Sequence, residues 1–521
     1  MTKIRNKILP IILVAILLVG MGIYFLSQNN GNSIVAVKQS EIIELKDGDF
    51  YDLNAEFVTK EINGKKFTML AYNGMIPGPI IKVAQGSEIT INFKNNFDME
   101  TALHSHGVRM DNEFDGAPPV TQQPIKPGQT FTYKLKFPDA GVYWYHPHVR
   151  EDYQQELGLY GNYLVVASSE NYWPPVNREI LLFLDDILIE NNQINLNKDG
   201  ADHTLMGRFG NVMLVNGETD YSLSAKKGEV IRFYITNAAN VRPFNFFIEG
   251  ARMKLVGGDG GAYEQEEWKD SVIIGPSERA IIEVLFENAG SYALQTKTPD
   301  KTYSLGQVIV SEEAIDVSYA SDFATLRTND NTVKSIDPFR QYFNKAPDKQ
   351  LALTVDMMGQ MMNMQGMGHG GHMMPDGTMM SGSMMNPSLD GIEWEDENTV
   401  MNAMSDTTMI KWKIVDQDTN KENMDIDWDF KAGDKVKIRI FNDPDSMHPM
   451  QHPIHFHGQR FLVLAQNGEE NTNLVWKDTI MVPSGQTVDI LLDVSNPGEW
   501  MAHCHIAEHL EADMMFAFQV E

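Results

Sequence analysis

The chain has 521 residues, a formal net charge of −29 at pH 7 and a pI near 4.8. That length exceeds one ordinary domain and suits three of moderate size, while the acidity excludes a basic nucleic-acid surface and favours solubility and attraction of cations. The single cysteine, Cys504, excludes disulfides, so the compartment must be read from the N-terminus.

Lys3, Arg5 and Lys7 precede an apolar run from Ile8 to Leu26, long enough to cross a bilayer. There is no twin arginine, no nearby cysteine for a lipid anchor and no obvious small-x-small cleavage site before SQNNGNS. Residues 1–30 are therefore expected to be a signal anchor, with a cleaved signal peptide as the alternative. The basic residues would stay cytoplasmic by the positive-inside rule, which exports the rest and places it outside the cytoplasm, membrane-held if the leader is retained.

Beyond the leader, short segments rich in β-branched and aromatic residues alternate with Gly, Pro, Asn and Asp, with little helical periodicity. This spacing predicts an all-β chain of Greek-key domains. QGSEITINFKN near residue 90 recurs as KGEVIRFYITN near 230 and AGDKVKIRIFN near 440, a charged turn followed by a strand. Three copies imply three homologous β-domains, at residues 35–168, 175–316 and 348–521. The first break falls at the NYWPP linker, and a polar stretch through Asp337-Pro338 and Ala346-Pro347 leads into the third.

Inside the third lies a methionine segment, residues 357–385, with twelve methionines in twenty-nine residues besides His369 and His372. A stretch this polar and glycine-rich cannot bury enough surface to fold alone, so a disordered insert is expected. Thioethers are soft ligands that prefer Cu(I), which makes the insert a candidate for capturing labile cuprous ion.

Ten of the fourteen histidines fall in four clusters. His104 with His106 and His146 with His148 are spaced i, i+2, which puts both imidazoles of a pair on one face of a strand. His452, His455 and His457 follow in HPIHFHG. Last comes His503-Cys504-His505, with His509 and Met514 close behind. Imidazoles, a thiolate and a thioether together have the softness pattern of a blue-copper electron-transfer site. In an extended segment Cys504 faces one way and His503 and His505 the other, so a second metal site would lie one residue from the first. The clusters occur in the first and third domains alone. That places the second site at their interface and leaves the middle domain a structural role.

The segments LHSHG, WYHPH, HPIHFHG and HCHIAEHLEADMM resemble the four copper-binding motifs of the multicopper oxidase family. NGMIPGPII, the DGAPP run and VWKDTI recur in family order, so the similarity runs from about Ser40 to the end. The resemblance implies three cupredoxin-like domains and four copper ions. It makes His452, Cys504, His509 and Met514 the type 1 ligands, and His104 and His455 the type 2 ligands. His106, His146, His148, His457, His503 and His505 would hold the type 3 pair. It also implies dioxygen as the electron acceptor, His503 and His505 as the route from Cys504 to the trinuclear cluster, and His452 or His509 as the imidazole edge nearest the surface. Asp115 stands where the family has an acid that aids proton delivery, although an Asp-Gly turn residue accounts for it equally. Glu511 lies one position beyond the family's usual acid, which is Leu510 here.

Met-rich inserts also occur in the bacterial cuprous oxidases, in which acids and methionines near the type 1 site bind the Cu(I) being oxidised. Asp356 and Met450 match two such positions. His448 stands where a second acid is expected and Leu351 where a further Met is expected. The leading expectation is a monomeric, exported oxidase of Cu(I), with laccase-like activity on phenols and a role in copper tolerance. The alternatives are a laccase or Mn(II)/Fe(II) oxidase and, from another class, a copper-sequestering protein working through its Met-rich segment. His203 is expected to be an ordinary surface residue.

Overall fold

The structure, a computed structural model, describes residues 35–357, the backbone of 372–373 and 379–380, and 390–521. The leader, residues 1–30, and nearly all of the methionine segment, residues 357–385, lie outside the described residues. Among the described residues no helix is long and apolar enough to cross a membrane.

The chain is all-β, built as three pairs of packed sheets. Between residues 35 and 166, two five-stranded sheets enclose a core of Leu53, Ile91, Phe93, Tyr133, Tyr145 and Tyr163. A six-stranded and a five-stranded sheet follow between 178 and 314, around Ile231, Phe233, Phe244 and Ile282. A seven-stranded and a five-stranded sheet complete the chain between 349 and 520, around Trp412, Ile438, Trp500 and Phe516. Alternating apolar residues in short strands face these cores; each large side chain so buried contributes about 1.5–3 kcal/mol.

The internal repeat has a structural counterpart. Strands Glu88–Asn95, Glu229–Asn237 and Lys435–Asn442 hold equivalent places. Each runs parallel to the first long strand of its sheet, Phe50–Ile62, Arg178–Ile187 or Lys349–Met357, and antiparallel to the strand on its other side. Each ends in a buried asparagine. Asn95 Nδ2 donates to the carbonyls of Met99 and Ile125, Asn237 Nδ2 to those of Arg242 and Ile274, and Asn442 Nδ2 to those of Met450 and Val482. One side chain thus satisfies buried backbone groups where each sheet hands over to its partner.

The first and third units are clamped together. Asp139 accepts from Arg109 and, at 3.0 Å, from Arg460, which also reaches Asp493 at 3.1 Å. The middle unit is drawn into the third: Leu205, Met206, Phe209 and Val241 belong to the same apolar cluster as Trp412 and Cys504. His203 starts this inserted stretch and is buried, with a positive φ of 57°, contrary to the surface position expected for it. The apolar residues that follow it carry it inward.

Candidate metal centre

Strand His104–His106 pairs antiparallel with Gly141–His146, setting His104 opposite His146. In the third unit, His452–Phe456 pairs with Gly498–Cys504, setting His455 opposite His503 and Ile454 opposite Cys504. Alternation along the latter strand sends the Cys504 side chain to one side and those of His503 and His505 to the other.

On the cysteine side, Cys504 Sγ lies 3.5 Å from His452 Nδ1 and 3.7 Å from His509 Nδ1, and the two nitrogens are 3.3 Å apart. All three residues are buried. Met514 is buried beside them, its carbonyl accepting from Cys504 N and its amide donating to His509 O, each at 3.0 Å. Burial pushes the Cys504 thiol up and the His452 imidazole down to about 3. A neutral imidazole has a lone pair for a metal, whereas a buried thiolate needs a cation to exist.

On the other side, His104, His106, His146, His148, His455, His457, His503 and His505 form one buried cluster. Most have one nitrogen anchored and the other left free. His104 Nδ1 donates to Asp115 O (2.7 Å), His146 Nδ1 to Pro147 O (2.8 Å), His455 Nδ1 to Asp478 O (2.8 Å) and His503 Nδ1 to Cys504 O (2.8 Å). His106 is held the other way round, with Nε2 3.0 Å from Asp478 Oδ1 and 2.9 Å from Thr479 Oγ1. Nε2 of His104, His146, His148 and His455, Nδ1 of His106 and both nitrogens of His505 are buried without a hydrogen-bond partner. His457 Nε2 and His503 Nε2 face each other at 3.0 Å. So many orphaned lone pairs aimed at one another would be costly in a site meant to stay empty; they are what a cluster of metal ions requires. Burial, reinforced by the neighbouring imidazoles, pushes most of these rings down, with His503 at about 4.

Asp115 joins the two units here. Its Oδ2 accepts from His457 Nδ1 at 2.9 Å while its backbone carbonyl holds His104. The Asp-Gly turn is equally real: Gly116 has φ of +80°, and a Cβ there would stand 1.9 Å from Leu103 O. The acid anchors and the glycine permits the turn that aims it.

The remaining predicted residues divide. His448 is buried, with Nε2 3.3 Å from Glu393 Oε2 and its ring 6.4 Å from that of Trp412. Met450 is buried in the apolar core around Trp412. Asp356 is not with them. It pairs in register with Lys411, and its neighbour Val355 with Trp412, so alternation turns Asp356 to the outer face, where it is ion-paired with Lys413 at 2.5 Å. Met357 ends the same strand and packs against the core. His452 and His509, expected as the imidazole edge nearest the surface, are both buried: Trp412 stacks on His509 at 4.1 Å and meets His452 edge-on at 4.8 Å.

Several acidic groups adjoin the cluster. Glu151, three residues beyond His148, is buried, with its carboxylate 3.5 Å from His148 Nε2. Burial, then Glu511, raises its pKa. Burial also lifts Glu508 to about 8 and, with Asp152, Glu511 to about 7. A cavity of about 360 Å³ lined by Pro118, Pro119, His148, Arg150 and Glu511 opens this face of the cluster. Proximity to HPH was the available signal for Glu151. None marked Trp412 or Glu393.

A Cys-His-His set backed by an eight-histidine cluster, at the seam of the outer two of three β-sandwich units, defines a copper oxidase architecture. Family models described as Multicopper oxidase match residues 55–170, 179–311 and 393–521. The chain belongs to the multicopper oxidase family; it is an oxidoreductase and a copper protein. Multicopper oxidase mco of Staphylococcus aureus is 26% identical over 471 residues, covering 89% of this chain and 86% of the relative. Copper resistance protein A of Escherichia coli is 24% identical over 607 residues, covering 91% and 93%. Among solved structures, a multicopper oxidase of Campylobacter jejuni described as a metallo-oxidase superposes with a TM-score of 0.68 at 25% identity, covering 94% of this chain and 98% of that one.

Proposed function

We propose that this is an exported oxidase of Cu(I), with laccase-like activity on phenols, which couples four one-electron oxidations to reduction of dioxygen and four protons to two waters, and serves copper tolerance. Residues 35–168, 175–316 and 348–521 are the three cupredoxin-like domains of a monomer whose leader exports it and anchors it where uncleaved. His452, Cys504, His509 and Met514 hold a type 1 copper, His104 and His455 a type 2 copper, and the other six histidines a type 3 pair. Bound copper supplies reversible one-electron redox chemistry between reductant and dioxygen.

The residues do the rest. The backbone of Cys504 is the shortest covalent link between the two donor sets, since its neighbours on both sides reach into the histidine cluster. Asp115 keeps His104 and His457 aimed across the domain seam, and the cavity at His148 and Glu511 gives dioxygen and water a passage. Trp412 excludes water from the cysteine site.

The observation that carries the choice of reductant is the cover over that site. With both imidazoles beneath Trp412, a phenol meets them only through that ring, whereas a cation held by His448 and Glu393 stands one ring away. A His–carboxylate pair with Met-rich flanks suits a copper ion, and the names of the relatives, copper resistance protein and metallo-oxidase, support the same reading. The test is steady-state oxygen consumption with Cu(I) or 2,6-dimethoxyphenol as sole reductant, before and after His448→Ala and Glu393→Gln. Both substitutions should lower turnover of Cu(I) and leave that of the phenol unaltered. Equal losses would favour a laccase, and no oxygen uptake with either would favour sequestration.

A further inference from the structure

The middle domain carries no predicted ligand, yet one of its side chains reaches the metal centre through a single intermediary. Arg279 heads the strand Arg279–Phe286 and is fully buried. Its Nη1 donates to Asp478 Oδ1 at 2.7 Å and its Nη2 to Asp478 Oδ2, a two-pronged pairing. The same guanidinium reaches the first domain, Nε donating to Val142 O at 3.1 Å, and is tied to its own loop by Nη1 to Ser277 O at 2.9 Å. Arg279 is thus a junction of all three domains.

Asp478 in turn touches the histidine cluster twice. Oδ1 accepts from His106 Nε2 and from Thr479 Oγ1, each at 3.0 Å, and its backbone carbonyl holds His455. Lys477, its chain neighbour, points elsewhere, to Asp259 at 3.0 Å and Glu278 at 3.2 Å. Among the described residues Arg279 is therefore the cation paired with Asp478. The fit is close: a Cβ on Gly107, directly after His106, would stand 2.2 Å from Asp478 Oδ2 and 3.1 Å from Arg279 Nη2.

His106 is the histidine of the cluster whose orientation depends most on this arm. His104, His146, His455, His457 and His503 are anchored through Nδ1, which frees Nε2. His106 is anchored through Nε2, which frees Nδ1. Which nitrogen a histidine offers a metal is decided by the hydrogen bond the other makes.

We propose that Arg279 is a positioning residue for the metal centre, supplied by the middle domain: by locking the Asp478 carboxylate it fixes the His106 tautomer that offers Nδ1 to copper. The rigid fork matters, because one ammonium point charge cannot hold both carboxylate oxygens in plane. Without the guanidinium, Asp478 becomes an unpaired buried carboxylate free to turn from His106.

The inference rests on the copper reading of the cluster, and the experiment separates the two. Cupric ion affinity is measured by chelator competition on the full chain in a Cys504→Ser background, which removes the thiolate site, and each variant is compared with that background alone. Arg279→Gln, and Asp478→Asn, whose amide nitrogen would face Arg279 Nη2 and break the two-pronged pairing, should each weaken binding by roughly 10–100-fold, the usual effect of losing a partner of a ligating histidine. Arg279→Lys should fall between them and the unsubstituted chain. The Arg279→Gln/Asp478→Asn double variant should be no weaker than the worse single one, because both act on one contact. With Cys504 restored, the thiolate absorption should be unchanged in every variant. Circular dichroism checks folding, and if Arg279→Gln does not fold, Arg279→Lys and Asp478→Asn carry the test. An affinity for either within twofold of the unsubstituted chain, or losses that multiply in a folded double variant, would overturn the proposal. No cupric binding by the unsubstituted cluster would instead sink the copper reading.

Discussion

At the residue scale, chemistry is divided between ligands and the groups that aim them. Cys504 is the thiol on which both His452 and His509 converge, so Cys504→Ser should abolish the blue thiolate absorption and oxygen consumption while copper still binds at the eight histidines behind it. A blue Cys504→Ser protein would remove the type 1 assignment. Asp115 holds one histidine by its side chain and another by its carbonyl. Asp115→Ala should therefore slow oxygen reduction by roughly 10–100-fold, and Asp115→Asn by less, because an amide oxygen can still accept from His457; parallel steady-state rates decide this. Trp412 bears on substrate choice. Trp412→Leu removes the ring stacked on His509, at a cost of up to about 3–5 kcal/mol from the cavity, and should raise phenol oxidation relative to that of Cu(I), measured well below the lowered Tm. An unchanged ratio would mean that electron entry does not pass beneath this ring.

At the element scale, the three repeat strands and their terminal asparagines explain how one plan serves three domains. Asn237 lies in the middle domain, where copper cannot mask a loss of stability. It makes two hydrogen bonds through Nδ2 and accepts a third from Ala239 N. Asn237→Ala would strand three buried backbone groups and should destabilise this domain by about 3–5 kcal/mol, read from the urea midpoint; a loss under about 1 kcal/mol would show that water replaces the side chain. The strands were legible because alternation is local, and the asparagine is visible at the end of ITINFKN, RFYITN and KIRIFN. Its function was not, since its acceptors lie up to 40 residues away. The metal centre divides the same way. His-x-His spacing exposes the donors directly, but the contact between His106 and Asp478 spans 372 positions and that between Asp478 and Arg279 spans 199. Nothing local in VWKDTI tells that its aspartate orients a histidine near the other end of the chain. Asp356 illustrates the converse: it stands at a plausible position in the sequence, and one step of strand register turns it away from the site.

At the scale of the whole molecule, the outer domains supply the donors and the middle domain closes the assembly, through Arg279 at the cluster and through Leu205 and Met206 in the apolar cluster that holds Trp412. The methionine segment is attached to that frame at the end of strand Lys349–Met357, two residues past Val355, which stands opposite Trp412. Deleting residues 358–385 while keeping Met357, which packs on the core, should leave the fold and bound copper intact, because a glycine-rich stretch of this composition contributes little to any core. Its thioethers are soft donors for Cu(I), and their loss should lower the Cu(I) rate at limiting concentration by about tenfold, equivalent to about 1.4 kcal/mol of capture. The phenol has no use for thioethers, so its rate should hold or rise. The ratio of the two rates, with and without the segment, decides the matter. If both fall together, the segment supports the structure rather than substrate choice, and the preference for Cu(I) must then rest on His448 and Glu393 alone.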